Sequence, residues 1–383
     1  MATFADSWST KVYNASSASL SSIKLYYAAY VHATPATSMS VVLRSNSKSF
    51  LDAFDINEEG DQLNVRGLQW YANPFGSLFA KYVMDVYVPE GALASLKAAG
   101  FGDIVVSTAT LVNSRAFSAV ISGSSDLFLS GDTVSLAALH LAVPGSGTLQ
   151  FHVNATSVAE KTELSVSGSG KVALIGSTFT AKAVRSSVSG SGDIYLGAAS
   201  RINATAVSTS ISGSGSVNYY AAGVCGAHNV SVSGSGDIGA GALVCDTARV
   251  SISGSGKAYV QATAAVTASV SGSGTVYAVG AFPPSVSGSL SSTNSPVVAT
   301  YSLKAIPEYE PSTNAQFGLG WSCLILAGII LLITFIVIRC RKAGRCRCCC
   351  RRKRQTASNA PILAPDANVY VSAATPVDAQ KHV

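Results

Sequence analysis

The chain has 383 residues, 48% of them apolar and only 12% charged, enough apolar material for a sizeable core. The net charge of +6 is unevenly placed. Residues 339–383 hold ten basic and two acidic side chains, net +8, which leaves −2 for the rest and excludes a nucleic-acid-binding ectodomain.

Residues 1–20 contain no apolar run of signal-peptide length, although the rest of the chain reads as secreted. We expect either a missing or misannotated start, or export through the later apolar segment. Residues 1–99 read as a β-rich cap, rich in aromatics (Tyr26, Tyr27, Tyr30, Trp70, Tyr71, Phe75, Phe79, Tyr82 and Tyr87). Alternation over Lys24–Val31, Ser38–Leu43 and Tyr82–Val88 predicts strands, with Met84, Val86 and Val88 inward and Asp85 and Tyr87 outward. The aromatics would plug the first coil against an open edge. A carbohydrate-stacking patch is the sharper alternative.

Residues 100–290 are organised around Ser187-Val-Ser-Gly-Ser-Gly-Asp-Ile194 and its copies. The first glycines stand at Gly100, Gly123, Gly145, Gly168, Gly190, Gly213, Gly234, Gly254, Gly272 and Gly288, in steps that shorten from 23 to 16. Such a period fits one coil of a tapering β-solenoid. Val188 and Ile211, two before their glycines, and Ile194 and Val217, four after, belong to columns an even six residues apart. In extended chain both columns face one side. We therefore read an all-β parallel β-helix of about ten coils, on the order of 45 Å long. Apolar side chains and glycines face in, with glycine marking a thin interior where the opposite wall comes close, and serines face out. Outside, Lys171–Asp193 and Asp237–Lys257 should pair between coils, while Asp103 beside Asp126 is unfavourable.

The repeats, with Val83-Met-Asp-Val-Tyr-Val-Pro89 and Leu93–Ile104 leading into them, resemble the putative auto-transporter adhesin, head GIN domain family over residues 20–290. The resemblance implies a β-helix of parallel coils and carries no catalytic or ligand residues. The C-terminal apolar segment and cysteine-rich tail depart from that family's pattern.

Cys225 and Cys245 fall 12 and 11 residues after their glycines, at nearly the same place on adjacent coils. The spacing of about 4.7–4.9 Å between strands suits a disulfide. Two free thiols, or a metal site completed by His228, are the other readings. Asn14, Asn154, Asn203 and Asn229 each open an N-glycosylation triplet. Gly234-Ser-Gly-Asp-Ile-Gly239 spells a dinucleotide loop but leads into another repeat rather than a helix. Acidic residues are too thinly spread for a polysaccharide-cleaving pair. No catalytic, cofactor-binding or metal residue is therefore assigned, and the reading is not an enzyme.

Residues 291–316, rich in Ser, Thr and Pro, read as a flexible stalk. Residues 317–338 are almost wholly apolar and long enough for one transmembrane helix across a core of about 30 Å. The basic cluster after it places residues 339–383 in the cytoplasm as a disordered tail that also holds anionic lipid. Cys340, Cys346, Cys348, Cys349 and Cys350 read as palmitoylation sites, with a zinc knot as the alternative. The expectation is a single-pass plasma-membrane protein, N-terminus outside, that touches glycans or surface proteins. A receptor signalling through partners recruited to the tail is the alternative.

Overall fold

In the computed structural model, residues 8–67, 80–111, 115–296 and 298–313 are described. The chain divides into two compact units, Met1–Gly318 and Leu319–Val383, and every described residue lies in the first.

The apolar columns stack as the repeat requires. Val166, Val188, Ile211 and Val232 stand opposite one another in parallel register, as do Val172, Ile194, Val217 and Ile238. All eight are at most 2% exposed. At roughly 1.5–3 kcal/mol per buried side chain, these columns are the main force holding the rungs together. Each central rung is one long extended run: Thr148–Val166, Lys171–Val188, Asp193–Ile211. Register shifts between Val158 and Lys161, and between Gly176 and Thr178, bend those runs around the shaft.

The coil count differs from the expectation at both ends, and the solenoid has about nine turns. At the far end, Ser285–Ser287 pairs on one side only among the described residues, so Val286 is 44% exposed rather than inward. At the near end the parallel stack begins before residue 99. Ser22–Leu25 lies between Gln62–Gly67 and Ser95–Ala98, and Ala29–Thr34 lies between Lys81–Pro89 and Ile104–Ser107. A rung early in sequence is thus inserted between two later ones. Antiparallel strands close this end, Ser9–Asn14 on Ser40–Ser45 and that strand on Lys81–Pro89. The helix Lys48–Asp52 is capped by the Ser47 hydroxyl, which accepts from the Phe50 N–H. Tyr27, Phe50, Phe54 and Tyr82 fill the cap with ring centroids 4.9–6.3 Å apart. All four are buried; of the aromatics expected in the plug, Tyr27 and Tyr82 are in it, joined by Phe50 and Phe54, while Tyr26, Tyr30 and Tyr87 stay partly exposed. Trp70, Tyr71, Phe75 and Phe79 lie outside the described residues.

The turn glycines are explained differently from the expectation. A Cβ on Gly190 would lie 2.2 Å from the Gly168 carbonyl oxygen, and one on Gly192 would lie 2.1 Å from that of Gly170. The neighbour that forbids a side chain is the backbone of the rung before, not the opposite wall.

One polar chain crosses the interior. The Tyr219 hydroxyl donates to Ser186 Oγ at 2.9 Å, and the Thr209 hydroxyl lies 2.8 Å from Tyr219 Oη and 2.9 Å from His228 Nε2. Burial holds the His228 pKa down at about 4. Below its ordinary pKa near 6.5 the unfolded chain binds a proton that the folded chain refuses. Stability therefore falls from about pH 6.5 toward pH 4 and levels off below it, with about 2 kcal/mol lost between pH 7 and pH 5. Urea unfolding at the two pH values should show this slope, and His228→Leu should flatten it.

Candidate functional site

The segment read as a stalk is instead a strap. After Pro296 the chain turns back and runs along the outside of the solenoid toward the cap. Asn218 Oδ1 accepts from the Ala299 N–H at 3.1 Å. The Tyr301 ring tilts over Tyr195 with centroids 5.4 Å apart. Gln150 grips Lys304 twice, its Nε2 donating to the carbonyl at 3.1 Å and its Oε1 accepting from the N–H at 2.9 Å. That amide side chain does for Lys304 what a neighbouring strand's backbone would do. At the end, Ser312–Thr313 pairs antiparallel with Lys81 and Tyr82.

The side-chain anchors Asn218, Tyr195 and Gln150 belong to one outward column. Asn218, Tyr195, Ala173, Gln150, Phe128, Val105, Tyr30 and Asp85 are successive partners across the rungs. Seven steps of about 4.8 Å make about 34 Å, and ten extended residues from 299 to 309 reach about 33–36 Å. The strap is therefore drawn nearly straight, with little slack.

Its strongest polar anchor is Asp85. This residue points away from the shaft, as its alternation predicts, yet it is only 1% exposed because neighbours and strap cover it. Its carboxylate accepts from Tyr309 Oη at 2.7 Å and Arg44 Nη1 at 3.2 Å, and lies 2.9 Å from His32 Nε2. Burial first, and Asp85 second, push the Tyr309 phenol up to about 12. Lys304 Nζ makes a second charged anchor, 2.6 Å from Asp126 and 3.0 Å from Thr148 Oγ1. Burial, with Asp126 adding to it, still holds the Asp103 carboxyl above its usual range, and Lys304 pulls partly the other way.

Beside the strap lies a cleft of about 360 Å³, between Thr300–Lys304 and the coils of Gly145, Gly168 and Gly190. Hydroxyls of Ser146, Thr148, Ser169 and Ser302 stand around it, Tyr301 forms its apolar wall, and Lys171 and Lys304 flank it. Lys171 Nζ sits 3.8 Å from Asp193, the inter-coil pair that the column predicted. Asp237, by contrast, accepts the backbone N–H of Lys257 at 2.8 Å. Composition alone gave no signal for the cleft, since one side of it is built by the strap.

The structure also places the other predicted residues. Cys225 and Cys245 are register partners joined by a disulfide, Cα atoms 4.3 Å apart. Their sulfurs are bonded to each other and His228 faces Thr209, so these three do not form a metal centre, and no metal-ligand cluster occurs among the described residues. Asn14, Asn154, Asn203 and Asn229 are all exposed. No helix among the described residues is long and apolar enough to cross a membrane. Residues 317–338 and Cys340, Cys346, Cys348, Cys349 and Cys350 lie outside the described residues.

Curated proteins provide no match to this chain. Among solved structures it is similar to a putative adhesin from Parabacteroides merdae, at 16% identity and TM-score 0.48, covering 72% of this chain and 98% of that one. A putative adhesin from Parabacteroides distasonis is 17% identical, TM-score 0.47, covering 71% and 97%. A putative lipid binding protein from the same organism is 18% identical, TM-score 0.38, covering 75% and 96%. The sequence itself matches a family description over residues 20–221 and 198–281, more than half its length. With its stacked Ser-Gly-Ser-Gly rungs, the chain belongs to the putative auto-transporter adhesin, head GIN domain family.

Proposed function

We propose that the chain is a single-pass cell-surface protein whose solenoid makes non-catalytic adhesive contact with glycan or cell-wall polymer. The observation that carries this is the repeated outer surface. Ser167, Ser189, Ser212, Ser233 and Ser253 are exposed at the same place on successive rungs, as are Ser169, Ser191 and Ser214. Hydroxyls repeated about 4.8 Å apart offer many weak, equivalent contacts to a repeating polymer. The family description, which names adhesion, points the same way.

The apolar run 317–338 serves as the membrane anchor in this reading, with the basic, cysteine-rich tail on the cytoplasmic side. Because the strap ends beside Lys81 and Tyr82, the chain leaves the described fold at its capped end. Exposure of all four acceptor asparagines is compatible with glycosylation in an extracellular setting.

The test is adhesion of cells displaying the full chain to immobilised cell-wall polysaccharide, with protease shaving to follow topology. Gain of adhesion, lost when surface protease removes the solenoid, supports the proposal. Adhesion equal to that of non-expressing cells would sink it.

A further inference from the structure

We infer that the cleft beside the strap is a binding site for an uncharged, polyhydroxylated chain, namely a neutral linear oligosaccharide. This inference rests on the adhesive reading above and names its ligand class.

Three features select that chemistry. First, the rim is made of hydroxyls, from Ser146, Thr148, Ser169 and Ser302, which can each donate and accept. Second, the wall is the half-buried Tyr301 ring, supported from behind by Tyr195 on Ala173 and Ile175. A flat aromatic face beside a polar rim matches a sugar, whose C–H face is apolar and whose edge is hydroxylated. The Tyr301 hydroxyl is buried and has no hydrogen-bond partner among the described residues. Third, the two flanking ammonium groups are already answered by carboxylates. Lys304 faces Asp126 at 2.6 Å and Lys171 faces Asp193 at 3.8 Å. Each ammonium is paired with a carboxylate, so an acidic sugar gains little from them.

The volume of about 360 Å³ falls within the range of small-molecule sites. Ser169 on the cleft rim is succeeded by the exposed Ser191 and Ser214 at the same place on the next rungs. An occupant can therefore continue along the rod as a linear chain.

The experiment titrates the full chain, held in detergent micelles, with cellotriose, mannotriose, the N-acetylglucosamine trimer and trigalacturonate. Binding is read by saturation-transfer NMR and calorimetry. We expect at least one neutral trimer to bind, with affinity that changes less than about twofold between about 50 and about 500 mM salt. Ser169→Trp fills the cleft from an exposed turn and should weaken that binding about tenfold or more. Thr300→Trp, which blocks it from the strap side, is the second variant should the first disturb folding.

Tighter binding of trigalacturonate that fades with salt overturns the inference. So does neutral binding unchanged in both variants, which leaves the adhesive reading standing with its site elsewhere. Absence of binding by every trimer also overturns it, and the cell-adhesion assay then decides separately whether adhesion itself survives.

Discussion

Replacing Asp85 with alanine is expected to cost about 3 kcal/mol of stability and to free the C-terminal part of the strap. Asp85 is 1% exposed and gathers Arg44, His32 and Tyr309 around one carboxylate. Removing it takes away the acceptor that three polar groups on three separate segments share. A buried pair broken from one side loses about 3–5 kcal/mol, and the partial exposure of Arg44 and His32 puts this case at the low end. Tyr309→Phe removes the bond to Asp85 and the one the hydroxyl accepts from Arg44 Nη1, and should cost about 1–2 kcal/mol. The double variant should lose less than the sum, because both changes strike the same contact. Urea unfolding gives the energies, and limited proteolysis between residues 298 and 313 reports release of the strap. Proteolysis rates equal to those of the unmodified chain would show that Asp85 does not hold it. The proposed cleft is bounded on one side by Thr300–Lys304, so loosening the strap should also reduce sugar binding.

The repeated rungs were legible because their cause is local and periodic. Val188 and Ile211 share a column only if their segments stack in register, and the pairing confirms that they do. The same reasoning put Cys225 beside Cys245 from their offsets alone. The strap was not legible, for an equally physical reason. Its partners Gln150 and Asn218 lie 154 and 81 positions away from the residues they hold. Its sequence of Ser, Thr, Pro and scattered tyrosines has no apolar period that would announce a docked strand. An extended segment held by side-chain amides needs no alternation of its own, since Gln150 and Asn218 supply the pairing that a second strand normally would. Asp85 shows the same limit from the other side. Alternation placed it outward correctly, but period alone cannot reveal that Tyr309, 224 positions later, covers it. The cap was half legible: Tyr27 and Tyr82 marked part of its plug, while Phe50 and Phe54 in it, and the insertion of Ser22–Leu25 between later strands, had no signature that was read.

Valine at position 192 should be the most damaging single change in the solenoid wall, costing at least about 3 kcal/mol. Sequence reasoning gave the turn glycines to a thin interior, and that reading predicts damage only from side chains long enough to reach the far wall. The geometry predicts damage from the first carbon. A Cβ at Gly192 would stand 2.1 Å from the Gly170 carbonyl oxygen and 2.5 Å from Val166 Cγ1. The carbonyl is backbone and cannot swing aside as a side chain could, so the rungs must separate. In a stack where each rung touches only its neighbours, one parted interface weakens the coupling between the two arms. Gly192→Ala should therefore already be destabilising, and Gly192→Val should broaden or split the urea transition as the arms unfold separately. Ser191→Val at the adjacent exposed position is the matched control and should stay within about 0.5 kcal/mol. Should Gly192→Ala unfold at the unmodified midpoint, close stacking of successive turns would not be what requires glycine there.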